Sequence, residues 1–415
     1  MARETALAVG DGGPQAADEV RRPLRLSNLR RPALRLPTRG RRRPAVTLDP
    51  RRNSLNLIRL VLASAVLVAH TVPLSGRGEG PMWAGEGLGG WAVIGFFVLS
   101  GYLITGSRLR SDGGRYLINR VVRIFPGFLV SLVVVAFAFA PVAYLVERGS
   151  LEGFLTTPTT PLAHLFDNAL LRMNDYSVAG TLASAPYPGV WNGSLWSLYF
   201  EFLCYIVVGV VAVVPVVRRR AWPIVTLFLL SVLVHATMPV VSVYLGGNGE
   251  FVLLMRLLPY FLGGAVLFVL KDRCPLRWSL AVPALVLALA AIAWQPAWGG
   301  QLAAPLFAYV LLWLGAVLPS PRAVVEHDVS FGVYVYAFPV SQLLVLSGGH
   351  THGLLLFNVL VVAVTLVFAT LSWLYVERPA RDAVAAQGRR ARATRVPEAV
   401  PAPAGSPENG VSVRV

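Results

Sequence analysis

The sequence predicts an all-α membrane protein, a polytopic bundle of about ten transmembrane helices with both termini in the cytoplasm. Three observations lead there. Of 415 residues, 55% are hydrophobic and only 14% charged, against about 25% charged in an ordinary soluble domain. Apolar runs of about 20 residues, the length that crosses a bilayer, follow one another along most of the chain. The connections between them alternate between arginine-rich and arginine-poor, the pattern that orients membrane helices.

Residues 1–53 come first and hold thirteen arginines among scattered Pro and Gly. They lack an apolar h-region and a small-residue cleavage site, so they are not a cleaved secretory signal. Asp11, Asp18, Glu19 and Asp49 weigh against an organelle transit peptide, and the segment reads as a disordered basic cytoplasmic tail. Ten apolar segments follow, at about 55–74, 90–107, 127–146, 195–215, 222–245, 251–270, 279–296, 301–318, 329–347 and 353–376. The basic connections are Arg108 to Arg123, Arg218 to Arg220, Lys271 to Arg277 and Arg322, and together with both tails they belong inside. The connections 75–89, 147–194, 246–250, 298–300 and 347–352 carry little positive charge and belong outside. An even number of segments agrees with two basic tails. The membrane domain is thus 54–378, and 379–415 reads as a disordered cytoplasmic tail of Ala, Arg, Pro and Ser.

The formal charge of +16 follows from this topology. Its arginines lie in tails and alternate loops and do not interleave with exposed aromatics, so the partner they imply is the lipid bilayer and not nucleic acid. Cys204 lies inside an apolar run and Cys274 beside arginines, giving neither a disulfide framework nor a metal-ligand spacing. No repeat of 20 to 50 residues and no inverted pair of Gly- or Pro-interrupted segments is present, which weighs against a transporter.

Ionisable residues inside apolar runs are costly and mark candidate sites. Arg59 and His70 stand eleven residues apart in the first segment. On a helix, eleven steps return to within about 20° while rising about 16 Å, so the two share one face and sit near opposite ends. A snorkelling anchor at Arg59 and an interfacial histidine at His70 are the bland alternatives. In the second segment, Gly95, Ser100, Gly101, Gly106 and Ser107 permit close helix approach. Arg120 and Arg123 follow on one helical face, able to hold lipid headgroups or the phosphates of a nucleotide-bearing co-substrate. Glu201 is an intramembrane carboxylate in the outer half of its segment, as His70 is. A pairing of the two would orient the imidazole as a general base.

Taken in order, these motifs resemble the acyltransferase type 3 family of integral membrane O-acyltransferases over roughly residues 52–380. The basic residue, ten residues and histidine of that family's first helix match Arg59 and His70, and its FFxxSGxxI matches Phe96, Phe97, Ser100, Gly101 and Ile104. RxxRIxP matches Arg120, Arg123, Ile124 and Pro126; WSLxxE matches Trp196, Ser197, Leu198 and Glu201; the closing ErP matches Glu377, Arg378 and Pro379. The chain departs at SFGVYVYAFPV, where Ala337 stands at a position the family often fills with histidine. His350 and His352 follow in the next outer loop.

The resemblance implies transfer of an acyl group, most often acetyl, from acyl-CoA to a hydroxyl of a sugar, a glycan or a glycosylated metabolite, in a multi-pass protein of the inner (plasma) membrane. Acyl-CoA would be a co-substrate and no cofactor or metal would be bound permanently. Arg59, Arg120 and Arg123 would hold the coenzyme A phosphates, and Trp196 and Ser197 would shape the acceptor side. His70 would act as base with Glu201 orienting it, or carry the acyl group itself. A transporter or flippase for an anionic or lipid-linked glycan is the alternative from another class. Acceptor selectivity is expected from the loop 147–194, with His164, Asp167, Arg172 and Asp175.

Overall fold

The computed structural model describes Val46, Leu48, Asp49 and residues 53–393 apart from Leu245. The expected N-terminal tail lies almost wholly outside these residues, as do residues 394–415. Among the described residues the chain is helical, with a single β-hairpin. The helices are α1 (Leu55–Leu74), α2 (Leu88–Arg110), α3 (Gly113–Arg148), α4 (Pro161–Asn168), α5 (Trp196–Val211), α6 (Trp222–Ala236) and α7 (Met238–Tyr244). They continue with α8 (Gly249–Val269), α9 (Trp278–Trp294), α10 (Ala304–Val317), α11 (Ser330–Leu346), α12 (Leu354–Ser372) and α13 (Arg378–Ala393). The hairpin pairs β1 (Met82–Trp83) with β2 (Glu86–Gly87). Its two-residue turn, Ala84 and Gly85, has positive φ at both positions, the backbone that matches strand twist in a tight hairpin.

Each of the ten apolar segments has a helical counterpart, but their lengths differ from the expectation of ten uniform spans. Five helices are long and apolar enough to cross a membrane: α1, α2, α3, α8, and α12 continued through α13 to Arg389. A sixth results if α6 and α7, bent by 80°, are taken as one span. The remaining four, α5, α9, α10 and α11, have 14–17 residues. Apolar composition reports how long a stretch avoids charge; helix ends are set by local breakers it does not register. Thus the main helix of the run 195–215 ends at Val211 and a separate short helix, Pro215–Arg219, opens at the proline, while the run at 301–318 starts its main helix only at Ala304, with Pro305 in the first turn.

Two other boundaries differ. α3 begins at Gly113, where the Asp112 side chain accepts from the Arg115 amide as an N-cap, and continues through Pro126 and a π turn at Val135–Phe139. The third apolar segment therefore carries its basic connection as a helical extension at its N-terminal end. α13 takes in residues 379–393 of the segment read from sequence as a disordered tail, and is joined to α12 through a second π turn at Trp373–Glu377. Its Ala- and Arg-rich sequence is a strong helix former, and the helix packs along α3.

α2 is the centre of the bundle and packs on α8, α1 and α10. The seam with α8 is made by glycine: a Cβ on Gly101 would overlap the Phe261 carbonyl, and one on Gly264 would overlap the Val98 carbonyl. The outside of the bundle is apolar, with Leu229, Leu230 and Leu233 of α6 and Val282, Val286 and Leu287 of α9 exposed. Such a surface suits lipid and not water.

Candidate functional site

Three cavities lie along the bundle and share walls. At one end is a basic chamber of about 450 Å³, lined by Arg59, Arg115, Arg120, Arg123, Arg381 and the carboxyls of Glu326 and Asp328. Arg59 comes from the second turn of α1, and Arg120 and Arg123 lie three residues apart on α3, so one helical face delivers both. The Arg123 Nη2 donates to Asp328 Oδ2 at 2.7 Å and Arg59 Nη1 to the same oxygen at 3.5 Å. Oδ1 of Asp328 accepts from Ser330 Oγ at 2.6 Å. Burial alone would raise the Asp328 pKa, but Arg123, Arg59 and the Ser330 hydroxyl outweigh it and hold the carboxyl well below its ordinary value. Arg120 Nε and Arg123 Nη1 are buried without a partner among the described residues. Guanidiniums with unanswered donors in the wall of a chamber are suited to an anionic ligand.

The chamber leads into a narrow neck of about 80 Å³ that shares Arg59, Arg120 and Arg123 with it. Phe96, Phe97 and Ser100 of α2, Ser197, Glu201 and Tyr205 of α5, and Phe331 and Tyr334 of α11 complete its walls. Glu201 Oε1 accepts from Ser100 Oγ at 2.5 Å and from Tyr205 OH at 2.6 Å. At the far end of the neck stands Tyr334. Its hydroxyl donates to the Ser194 carbonyl at 2.7 Å and therefore accepts from Ser197 Oγ at 2.5 Å.

Beyond Tyr334 opens the third cavity, about 360 Å³, lined by His70, Val72, Gly80, Gly89, Ser194, Trp196 and Tyr334 itself. His70 Nδ1 lies 2.7 Å from the Val66 carbonyl one turn earlier on α1. A carbonyl can only accept, so Nδ1 carries the proton and a neutral ring keeps its lone pair on Nε2, the form of a general base. Phe338 of α11 fixes the ring from its edge, with centroids 5.2 Å apart.

Arg59, Arg120 and Arg123 thus share one chamber, and Ser197 and Glu201 line the neck next to it. His70 and Trp196 stand together on the other side of Tyr334. The expected pairing of Glu201 with His70 is corrected: the carboxylate is held by Ser100 and Tyr205, and a backbone carbonyl orients the imidazole. The two side chains share neither a hydrogen bond nor a cavity. The cause is rotation of α5, which turns Glu201 toward the neck while Trp196, five residues earlier, faces the histidine cavity.

Ala337 is a buried core residue, and α11 reaches His70 through Phe338. His350 and His352 sit on a 3₁₀ turn, Gly349–His352, and neither lines the three cavities. In the loop 147–194, His164 is buried and bonds the Ser177 carbonyl at 3.0 Å, Asp175 caps Ser177, and Arg172 pairs with Glu250 at 2.7 Å on the surface. These side chains hold the loop in shape.

Asp328 and Tyr334 were not singled out from sequence. Asp328 is one of two acids, with Glu326, in a connection whose only arginine is Arg322, a signal visible as EHDVS ahead of the ninth apolar segment. Tyr334 sits in that segment four residues ahead of Phe338, where its polar group has the same helical face as the ring that meets His70.

The chain matches the model of a family described as an acyltransferase domain over residues 52–376. It is 30% identical to an O-acetyl transferase of Shigella phage Sf6 over 335 residues, 79% of this chain and 95% of that protein. It is 25% identical to nodulation protein 10 of Rhizobium leguminosarum bv. viciae over 365 residues, 79% of this chain and 93% of that one. No solved structure matches it.

Proposed function

Because the chain belongs to the acyltransferase domain family, we propose that it carries an acyl group from acyl-CoA on the cytoplasmic face of the inner membrane to a hydroxyl of a sugar or glycan on the other face. The name O-acetyl transferase on the phage relative supports acetyl as the group moved. The observation that carries the reading is the succession of cavities, from the arginine chamber through the Glu201 neck to His70, with walls in common at each junction. In this reading the ten apolar helical segments are ten spans, with both tails and the arginine chamber cytoplasmic by the positive-inside rule.

Arg59, Arg120 and Arg123 bind the phosphates of the donor, using guanidinium forks on phosphate oxygens. The pantetheine arm runs into the neck, where Glu201 and the hydroxyls of Ser100 and Tyr205 present polar groups to its amides. Eleven residues of helix separate Arg59 from His70, about 16 Å, a distance an extended arm covers. Passage of the thioester into the histidine cavity requires the Tyr334 ring to turn aside. His70 Nε2 then takes the proton of the acceptor hydroxyl as its oxygen bonds to the thioester carbon; the carbon–sulfur bond breaks, and the imidazolium returns that proton to the departing thiolate. The imidazolium formed is stabilised at Nδ1 by Val66. Trp196 offers an indole face beside the acceptor.

Purified protein in liposomes, given acetyl-CoA labelled in the acetyl group and a glycan acceptor, tests this. Covalent label on the acceptor is the expected result. Movement of glycan with no label on it would overturn the reading in favour of transport.

A further inference from the structure

α13 turns one face to the arginine chamber. Arg381, Val384 and Ala385 line that chamber, and Gly388 lies against Arg115, where a Cβ would come 2.6 Å from the Nη2. These four residues follow the i, i+3, i+4, i+7 spacing of a single helical stripe. The helix packs on α3, which supplies Arg115, Arg120 and Arg123. Arg381 is steadied by stacking over Trp373, 5.1 Å from the ring centroid, and the Trp373 Nε1 donates to His327 Nδ1 at 3.2 Å. Five guanidiniums and two carboxyls therefore face the chamber, and two of those guanidiniums, Arg120 and Arg123, have buried N–H groups with no partner among the described residues. That excess calls for a ligand with several negative charges.

We propose that α13 is a wall of the donor site and that Arg381 is one of its phosphate-binding residues, so that the anionic end of the donor is gripped between α3 and α13. This rests on the reading of acyl-CoA as donor. Donor binding and docking of α13 then reinforce each other, because a ligand held by both helices stabilises the arrangement in which both face it.

The test uses the full chain in nanodiscs of phosphatidylcholine, which supply no net anionic headgroup, with free coenzyme A as probe and its Kd read by calorimetry. R381Q is expected to weaken binding about tenfold or more, the scale of one charged hydrogen-bonded contact. R381K recovers part of it, and Gly388→Val, which displaces Arg115, weakens binding as well. Coenzyme A should also slow tryptic cleavage within α13 of the unmutated protein and fail to do so in R381Q. If R381Q binds as tightly as the unmutated protein while R123Q does not, α13 is no part of the site and the donor reading stands. If the unmutated protein binds no coenzyme A, both fall. If adding phosphatidylglycerol abolishes the effect of R381Q, the anion gripped is a lipid headgroup and the proposal is overturned.

Discussion

Replacing Asp328 by Asn removes the carboxylate that answers both Arg59 and Arg123. The Asp328 side chain is 7% exposed and that of Arg123 19%, so water can take over little of its work. Unit charges about 4 Å apart attract by about 4 kcal/mol at an effective dielectric of about 20, and removing one partner of a buried pair costs about 3–5 kcal/mol. Asn keeps the shape and one acceptor oxygen, which places the loss at the low end, about 3 kcal/mol. A phosphate entering the chamber meets the same two guanidiniums, so an anionic donor should replace what Asp328 supplied. Thermal unfolding in detergent, with and without saturating coenzyme A, reads both effects. D328N is expected to unfold at a lower temperature alone and to gain more from coenzyme A than the unmutated protein does. Equal midpoints without ligand, or an equal gain with it, would refute the placement of Asp328 as a counter-charge that the donor supplants.

His70→Ala is expected to lower acyl transfer by about 10²- to 10⁴-fold, the range of a positioned general base, while leaving the Kd for coenzyme A unchanged; full transfer by purified H70A removes the histidine from the reaction. Gly101→Val forces a side chain into the Phe261 backbone, where nothing flexible can yield, and should abolish monodisperse protein on size exclusion, whereas Gly149→Ala at an open helix end should not. Burial lowers the His164 pKa, against the pull of the Ser177 carbonyl, so the folded loop binds fewer protons than the unfolded one. Its stability is complete above the ordinary histidine value near 6.5 and declines as pH falls below it. Amide exchange over 161–192 should therefore be faster at pH 5 than at pH 8, and His164→Asn should flatten that difference.

The ten apolar segments could be read from composition because each must avoid charge over many residues, a constraint written locally. The arginine chamber was half legible: Arg120 and Arg123 declare a shared face by their spacing. Asp328 could not be found the same way, since its partners lie 205 and 269 residues away in sequence and no local pattern encodes which helix end meets which. Glu201 shows the same limit more sharply. Depth along a helix is set by counting residues, and counting puts both Glu201 and His70 inside apolar segments. Their separation depends on how far α5 is turned about its own axis, which is fixed where Glu201 meets Ser100 of α2 and Ser197 meets Tyr334 of α11. α13 escaped for a different reason: a sequence of Ala and Arg is compatible with solvent, and only the fold brings α3 alongside it.

The seam between α2 and α8 has a mechanical consequence. Where Gly101 meets the Phe261 carbonyl and Gly264 meets the Val98 carbonyl, two main chains touch directly, and a main chain has no rotamers to exchange. Sliding or tilting at that line would give up the close backbone contact along the seam. The α2 side of the neck behaves as a stator. The side chain that would have to yield in the proposed reaction stands on the facing wall, where α11 presents Tyr334 tethered by two hydrogen bonds.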